Sequence, residues 1–171
     1  MVRAMRHRGP DDHGIYHDDT VSLGMTRLSV IDLSPLAHQP MSNPEKTIWI
    51  VYNGEMYNFK SERVELEKKG YTFASHSDTE VVLRLYEEYG DDFLLRMRGM
   101  FALALYDRRR GAGMERLLLA RDHVGIKPLL YACTDGRLLF ASELKCMLAS
   151  ALVQPDVDSV ALRQGTSQHA F

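Results

Sequence analysis

Cysteine is scarce in this chain of 171 residues, which contains only Cys133 and Cys146. The pair forms no metal-ligand or redox spacing, so a disulfide framework and a cysteine-held metal are excluded, and sparse thiols suit a reducing cytoplasm. Long apolar runs are missing as well. Stretches such as Ile48 to Tyr52 fall far below the roughly 20 residues of a membrane span, so a soluble chain without a membrane partner is expected. Met1 to Arg8 has the charges of a signal peptide but runs into Gly9-Pro10-Asp11-Asp12 without an apolar segment, so no export is expected. Neither sign of charge is in excess. A net charge of -2 and a pI near 6.4 give no electrostatic reason to expect nucleic acid. The one basic cluster, Arg108-Arg109-Arg110, sits between Asp107 and Gly111 and reads as a solvated turn.

What is present is enough for one core: 45% of the residues are hydrophobic, and no repeat or Gly/Pro/Ser-rich linker divides the chain, so one domain is expected. Val21 to Leu33 alternates as a strand, with Val21, Leu23, Met25 and Ile31 on one face and Arg27 falling among them. Thr47 to Tyr52 is apolar on both faces, as a strand covered on both sides must be. Phe59 to Lys69 predicts a helix stopped by Gly70. Ser77-Asp78-Thr79-Glu80 has the pattern of a capping box and opens a second helix, closed by Gly90. A short helix near Phe93 to Met97 precedes strands at Met100–Tyr106, Arg116–Ala120, Leu129–Cys133 and Leu138–Ala141, and Glu143 to Ala149 reads as a last helix. Helices between groups of buried strands point to a layered α+β domain over residues 1–154, with 155–171 as a tail or linker.

Several residues could carry chemistry, and each has a plainer alternative. An inward-facing Arg27 is either a clamp for a substrate carboxylate or half of a structural ion pair, since a buried guanidinium needs an anion. Asn53-Gly54 is either the turn of a hairpin or, held at the end of a buried strand, a pair of N–H donors for an oxyanion. Asp78 is either a first-turn acid favoured by the helix dipole or a carboxylate that receives an amino group, and Glu55 has a similar ambiguity. His13 and His17 lie in a β-favouring stretch, where their spacing makes no metal pair. Cys133 and Cys146 read as small core hydrophobes.

Seven blocks in order change this weighing. They are Arg6–Gly14, Arg27–Leu33, His38–Met41, Asn53–Asn58, Ser75–Glu80, Gly99–Ala102 and Arg121–Pro128, and together they resemble the glutamine-hydrolysing asparagine synthases over roughly residues 4 to 150. The resemblance implies a class II amidotransferase domain with the N-terminal-nucleophile fold, a four-layer αββα sandwich of two antiparallel sheets. It implies that Arg27 holds the carboxylate of L-glutamine, with backbone of Leu28, Ser29, Val30 and Ile31 lining the pocket. Asn53 and Gly54 correspond to the oxyanion hole, and Glu55 and Asp78 to groups that fix the glutamine backbone. The reaction implied is acyl transfer: a cysteine thiolate, assisted by its own α-amine, attacks the side-chain amide, ammonia leaves, and water hydrolyses the thioester.

Three departures accompany the match. The family's first-residue cysteine has no counterpart here, because Cys133 and Cys146 are internal, so a chain inactive on its own is expected, with an edge in the core where a first strand and helix would pack. The match fades near Asp158 without a synthetase domain, the domain that would use ATP and magnesium to amidate aspartate; no cofactor is expected in this chain. Met25-Thr26 stands where the family usually has His-Arg. Implied partners are L-glutamine and the synthetase domain of a parent enzyme, with a homodimer left open.

Overall fold

The computed structural model describes residues 1–28, 32–156 and 160. In chain order it forms β1 (Asp12–His17), β2 (Ser22–Arg27), β3 (Met41–Ser42), β4 (Ile48–Met56), α1 (Phe59–Lys68), α2 (Asp78–Tyr89), α3 (Phe93–Arg96), β5 (Gly99–Asp107), β6 (Arg116–Arg121), β7 (Leu130–Thr134), β8 (Arg137–Ala141) and α4 (Leu144–Leu148). Strands β3-β4-β5-β6 make one antiparallel sheet, while β1-β2 and β7-β8 are separate antiparallel hairpins.

Strand alternation sorts the core into two halves. Ile48, Ile50, Tyr52 and Met56 of β4 and Phe101, Leu103 and Leu105 of β5 face α1 and α2, meeting Leu66, Val81, Val82 and Leu85. Val51, Ala104 and Tyr106 face the other way, onto Leu23 and Met25 of β2 and Phe140 of β8. Each fully buried aliphatic side chain contributes roughly 1.5–3 kcal/mol, so the continuous apolar runs of β4 and β5 dictate that both faces be covered.

Outside the first hairpin lies a 3₁₀ turn, Val2–Arg8. Its Met5 carbonyl accepts from the Thr26 hydroxyl at 3.2 Å, and Val2 lies so close to Gly24 that a Cβ there would sit 2.5 Å from it. With α4 packed on β8 and on this turn, the layers run helices, sheet, hairpins and a thin outer helical layer. The second sheet expected from the sequence is thus a pair of hairpins. Among the described residues β6 is an edge strand, and Leu117, Leu118, Leu119 and Ala120 are all only half-buried. No helix among the described residues is long and apolar enough to cross a membrane.

Several local expectations need correction. The strand expected to reach Leu33 stops at Arg27, and Leu33 is exposed. Asn53 and Gly54 are not a hairpin turn: both lie inside β4, opposite Ala102 and Phe101 of β5. Ser77 caps α2, but its hydroxyl accepts from Thr79 N–H; Glu80 turns away from the reciprocal bond and accepts from Ala74 N–H, Ser75 N–H and the Ser75 hydroxyl. Cys133 is exposed on a hairpin with one open face and is no core residue, whereas Cys146 is buried.

Candidate amino-acid site

Between the end of β2, the free edge of β4 and the start of α2 lies a cavity of about 250 Å³, lined by Arg27, Leu28, Asn53, Gly54 and Asp78 among others. Glu55, exposed on β4, is not among its lining residues. Ser29, Val30 and Ile31 lie outside the described residues.

The free edge of β4 explains how the cavity arises. β3 pairs only with Trp49 and Ile50, leaving the rest of that edge without a strand among the described residues. Gln39 takes the place of one: its carboxamide oxygen accepts from Tyr52 N–H at 2.6 Å, and its nitrogen donates to the Tyr52 carbonyl at 3.1 Å and to Thr79 Oγ1 at 3.3 Å. Two pairs further on, Asp78 accepts from Met56 N–H at 2.9 Å. Because N–H groups alternate along a strand, that of Gly54 points along the same edge, between Gln39 and Asp78 and toward the cavity. Glycine is required there: a Cβ would lie 2.4 Å from the Met100 carbonyl oxygen and 2.8 Å from Phe101 Cα. Asn53 projects from the opposite face of β4, half-buried at the cavity wall.

The charges at the two ends of the cavity are unusual in how they are satisfied. Arg27 donates through Nη2 to the Asp32 carbonyl and through Nη1 to the Ser34 carbonyl, and no carboxylate among the described residues forms an ion pair with it. Among the described residues, then, Arg27 forms no structural ion pair with a carboxylate. Asp78 is only 4% exposed, and no cation among the described residues pairs with it. Burial pushes its carboxyl upward from the ordinary carboxylate value, against the amides of Met56 and Thr79, and the charge of Glu55 adds to the rise. Among the described residues neither Arg27 nor Asp78 forms an ion pair, although Asp12, opposite Arg27 in the β1-β2 register, feels its charge; a cation and an anion thus line one cavity, as a zwitterion requires.

Other wall residues carried no role in the sequence reading. Asp32, Gln39, Thr79, Arg8 and Lys127 all line the cavity. Arg8 is paired with Glu143 at 3.0 Å. Lys127 is presented by a loop that Asp122 organises, its carboxylate accepting from Phe101, Ile126 and Lys127 N–H at 2.9–3.2 Å, while Arg121 holds the Lys127 carbonyl at 2.8 Å. Their signal was membership of the matching blocks Arg6–Gly14, Arg27–Leu33, His38–Met41, Ser75–Glu80 and Arg121–Pro128, not any chemistry legible in residue type. His13 is exposed on β1, and no cluster of three or more metal-ligating side chains occurs among the described residues.

A sequence model of the glutamine amidotransferase domain matches residues 1–170. The chain belongs to that family. It is 43% identical over 164 residues to glutamine-hydrolysing asparagine synthetase 1 of Bacillus subtilis strain 168, a match covering 96% of the chain and 25% of the relative. It is 45% identical over 149 residues to asparagine synthetase B of Escherichia coli K12, covering 86% and 26%, and 41% identical to amidase chry2 of Gibberella zeae, covering 85% and 21%. The chain therefore spans about a quarter of the length of these curated relatives. In three dimensions it resembles the glutamine phosphoribosylpyrophosphate amidotransferase of B. subtilis, with a TM-score of 0.61 at 22% identity over 75% of this chain and 28% of that one. At that identity the likeness establishes the fold, the layered amidotransferase sandwich expected from the seven blocks.

Proposed function

We propose that this domain binds L-glutamine in the cavity between Arg27 and Asp78 and forms the glutaminase pocket of an asparagine synthase-type enzyme. The observation that carries the reading is a pair of oppositely charged groups, neither in an ion pair among the described residues, on the walls of one cavity within an amidotransferase domain. Arg27 takes the α-carboxylate, its fork matching two oxygens. Asp78 takes the α-ammonium, which offsets its desolvation. Leu28 lines the wall beside Arg27, and Glu55 acts from outside the cavity as a second negative charge.

With the amino-acid end held there, the side-chain amide extends toward Asn53 and the Gly54 N–H. Those two donors stabilise the oxyanion that forms when a thiolate adds to the amide carbon, a type of contribution worth roughly 3–4 kcal/mol per donor. Neither Cys133 nor Cys146 lines the cavity, so neither is placed to supply that thiol. Collapse of the adduct expels ammonia, and water then hydrolyses the thioester. In the parent enzyme the ammonia is consumed by a synthetase domain that amidates aspartate at the expense of ATP bound with magnesium.

Calorimetric titration of the folded chain with L-glutamine tests this reading. Saturable heat that is lost with D-glutamine supports it, and no heat from a chain with a native spectrum sinks it. The position of the two cysteines favours a second reading, a glutamine-binding module without turnover. Ammonia release after joining a nucleophile-bearing segment to the N-terminus separates the two, since a pure binding module releases none.

A further inference from the structure

The carboxylate of Asp32 stands where two otherwise separate walls of the cavity meet. It is 8% exposed and lies on the loop that follows β2, yet it forms no ion pair among the described residues. Its Oδ1 accepts from Ser34 N–H at 2.8 Å, within its own loop. Its Oδ2 accepts from His76 N–H at 2.8 Å, on the segment that leads through Ser77 into Asp78 at the start of α2. The backbone carbonyl of the same residue accepts from Arg27 Nη2. One residue thus touches the guanidinium through its main chain and the Asp78 segment through its side chain. No other hydrogen bond among the described residues joins these two walls so directly.

We propose that Asp32 is a positioning residue that sets the distance between the carboxylate end and the ammonium end of the bound amino acid. This rests on the assignment of Arg27 and Asp78 to those ends. Two ends of one small rigid ligand must be met at once, so an error in their separation weakens binding of the whole ligand far more than binding of a ligand with a single end. A carboxylate suits the task because it accepts two backbone amides in fixed directions and is strengthened by its own charge. The Ser34 hydroxyl, with the two amides, holds the Asp32 carboxyl below the usual carboxylate range, so both acceptor oxygens stay ionised wherever the pocket is occupied.

The test compares three ligands on the full chain and on Asp32→Ala and Asp32→Asn. L-glutamine carries both ends, glutaramic acid lacks the amino group, and 4-aminobutanamide lacks the carboxylate. Asp32→Ala is expected to weaken L-glutamine at least tenfold and each one-ended analogue less than about threefold, because Arg27 and Asp78 remain in place individually. Asp32→Asn, which keeps one acceptor oxygen, falls between for L-glutamine, and faster hydrogen exchange at the His76 amide accompanies the loss in both variants. Equal weakening of all three ligands overturns the proposal by showing a merely structural role, and unchanged L-glutamine affinity overturns it directly. A wild-type chain that binds no L-glutamine removes the assignment of the pocket itself, and the proposal with it.

Discussion

Arg27 and Asp78 face the same cavity from opposite walls, and each is satisfied by backbone rather than by an opposite charge: Arg27 donates to the Asp32 and Ser34 carbonyls, and Asp78 accepts from Met56 N–H. Asp78 has to be ionised to receive an ammonium group, but burial raises its pKa above the ordinary 3.8. Affinity for L-glutamine should therefore fall as pH drops through that raised value. Titrations across the acid range, with glutaramic acid as the control that has no amino group, measure it. Parallel curves for the two ligands count against Asp78 as the receptor.

The same shift has the opposite sign for the unliganded protein. A folded state that holds the Asp78 proton more tightly than the unfolded chain loses stability as pH rises from 3.8 through the raised value. Asp78→Asn removes that loss while retaining an oxygen for Met56 N–H. It should leave thermal stability at pH 7 unchanged or higher and weaken L-glutamine about tenfold to a hundredfold, the ~1.5–3 kcal/mol of a hydrogen bond to a charged group. A destabilised variant with intact affinity contradicts this.

Arg27→Lys keeps the charge and loses the fork. A lysine ammonium cannot span both carboxylate oxygens while also reaching two carbonyls, so affinity should fall about tenfold, roughly 1.4 kcal/mol. Calorimetry reads the change directly. Full retention of affinity by Arg27→Lys argues that the carboxylate is held elsewhere.

Gly54→Ala places a methyl group against the backbone of β5, 2.4 Å from the Met100 oxygen. Neither strand can give way without disturbing the central pair of the sheet. A cost of about 1–3 kcal/mol is expected, as for overpacking in a core, lowering the melting temperature by roughly 2–4 °C per kcal/mol. Scanning calorimetry checks it, and a neutral substitution means that the strands separate more easily than their register implies.

Gln39→Leu leaves the Tyr52 N–H and carbonyl without partners at a buried strand edge. The expected loss is about 1–3 kcal/mol for an unsatisfied buried group, followed by thermal denaturation. Gln39→Glu retains the acceptor for Tyr52 N–H but turns the donor into a second acceptor facing the carbonyl, so it should rescue less than fully.

Much of the fold was legible in local pattern. The buried runs of β4 and β5 announced a doubly covered sheet, and Ser77, Gly70 and Gly90 marked helix boundaries close to where α1 and α2 begin and end. What pattern missed was decided at longer range. Asn53-Gly54 has the composition of a hairpin turn, but β5 pairs with β4 straight through it. Cys133 sits in an apolar run, yet its side chain is exposed on the β7-β8 hairpin. Glu80 stands at the capping-box spacing but accepts instead from Ala74 and Ser75, on the segment that leads into the helix.

By itself the sequence determined the strands and helices, the family, and the residue types available to an amino-acid pocket, because periodicity, capping and ordered blocks are local properties of the chain. Only the tertiary structure decided which charges are left unpaired. Whether Arg27 meets a carboxylate or a carbonyl, and whether Asp78 meets a cation or an amide, depends on segments about 5 to 22 residues away in the chain that the fold brings together. Electrostatic pairing acts through space rather than along the sequence, so the complement of a zwitterion becomes visible only when those segments have packed.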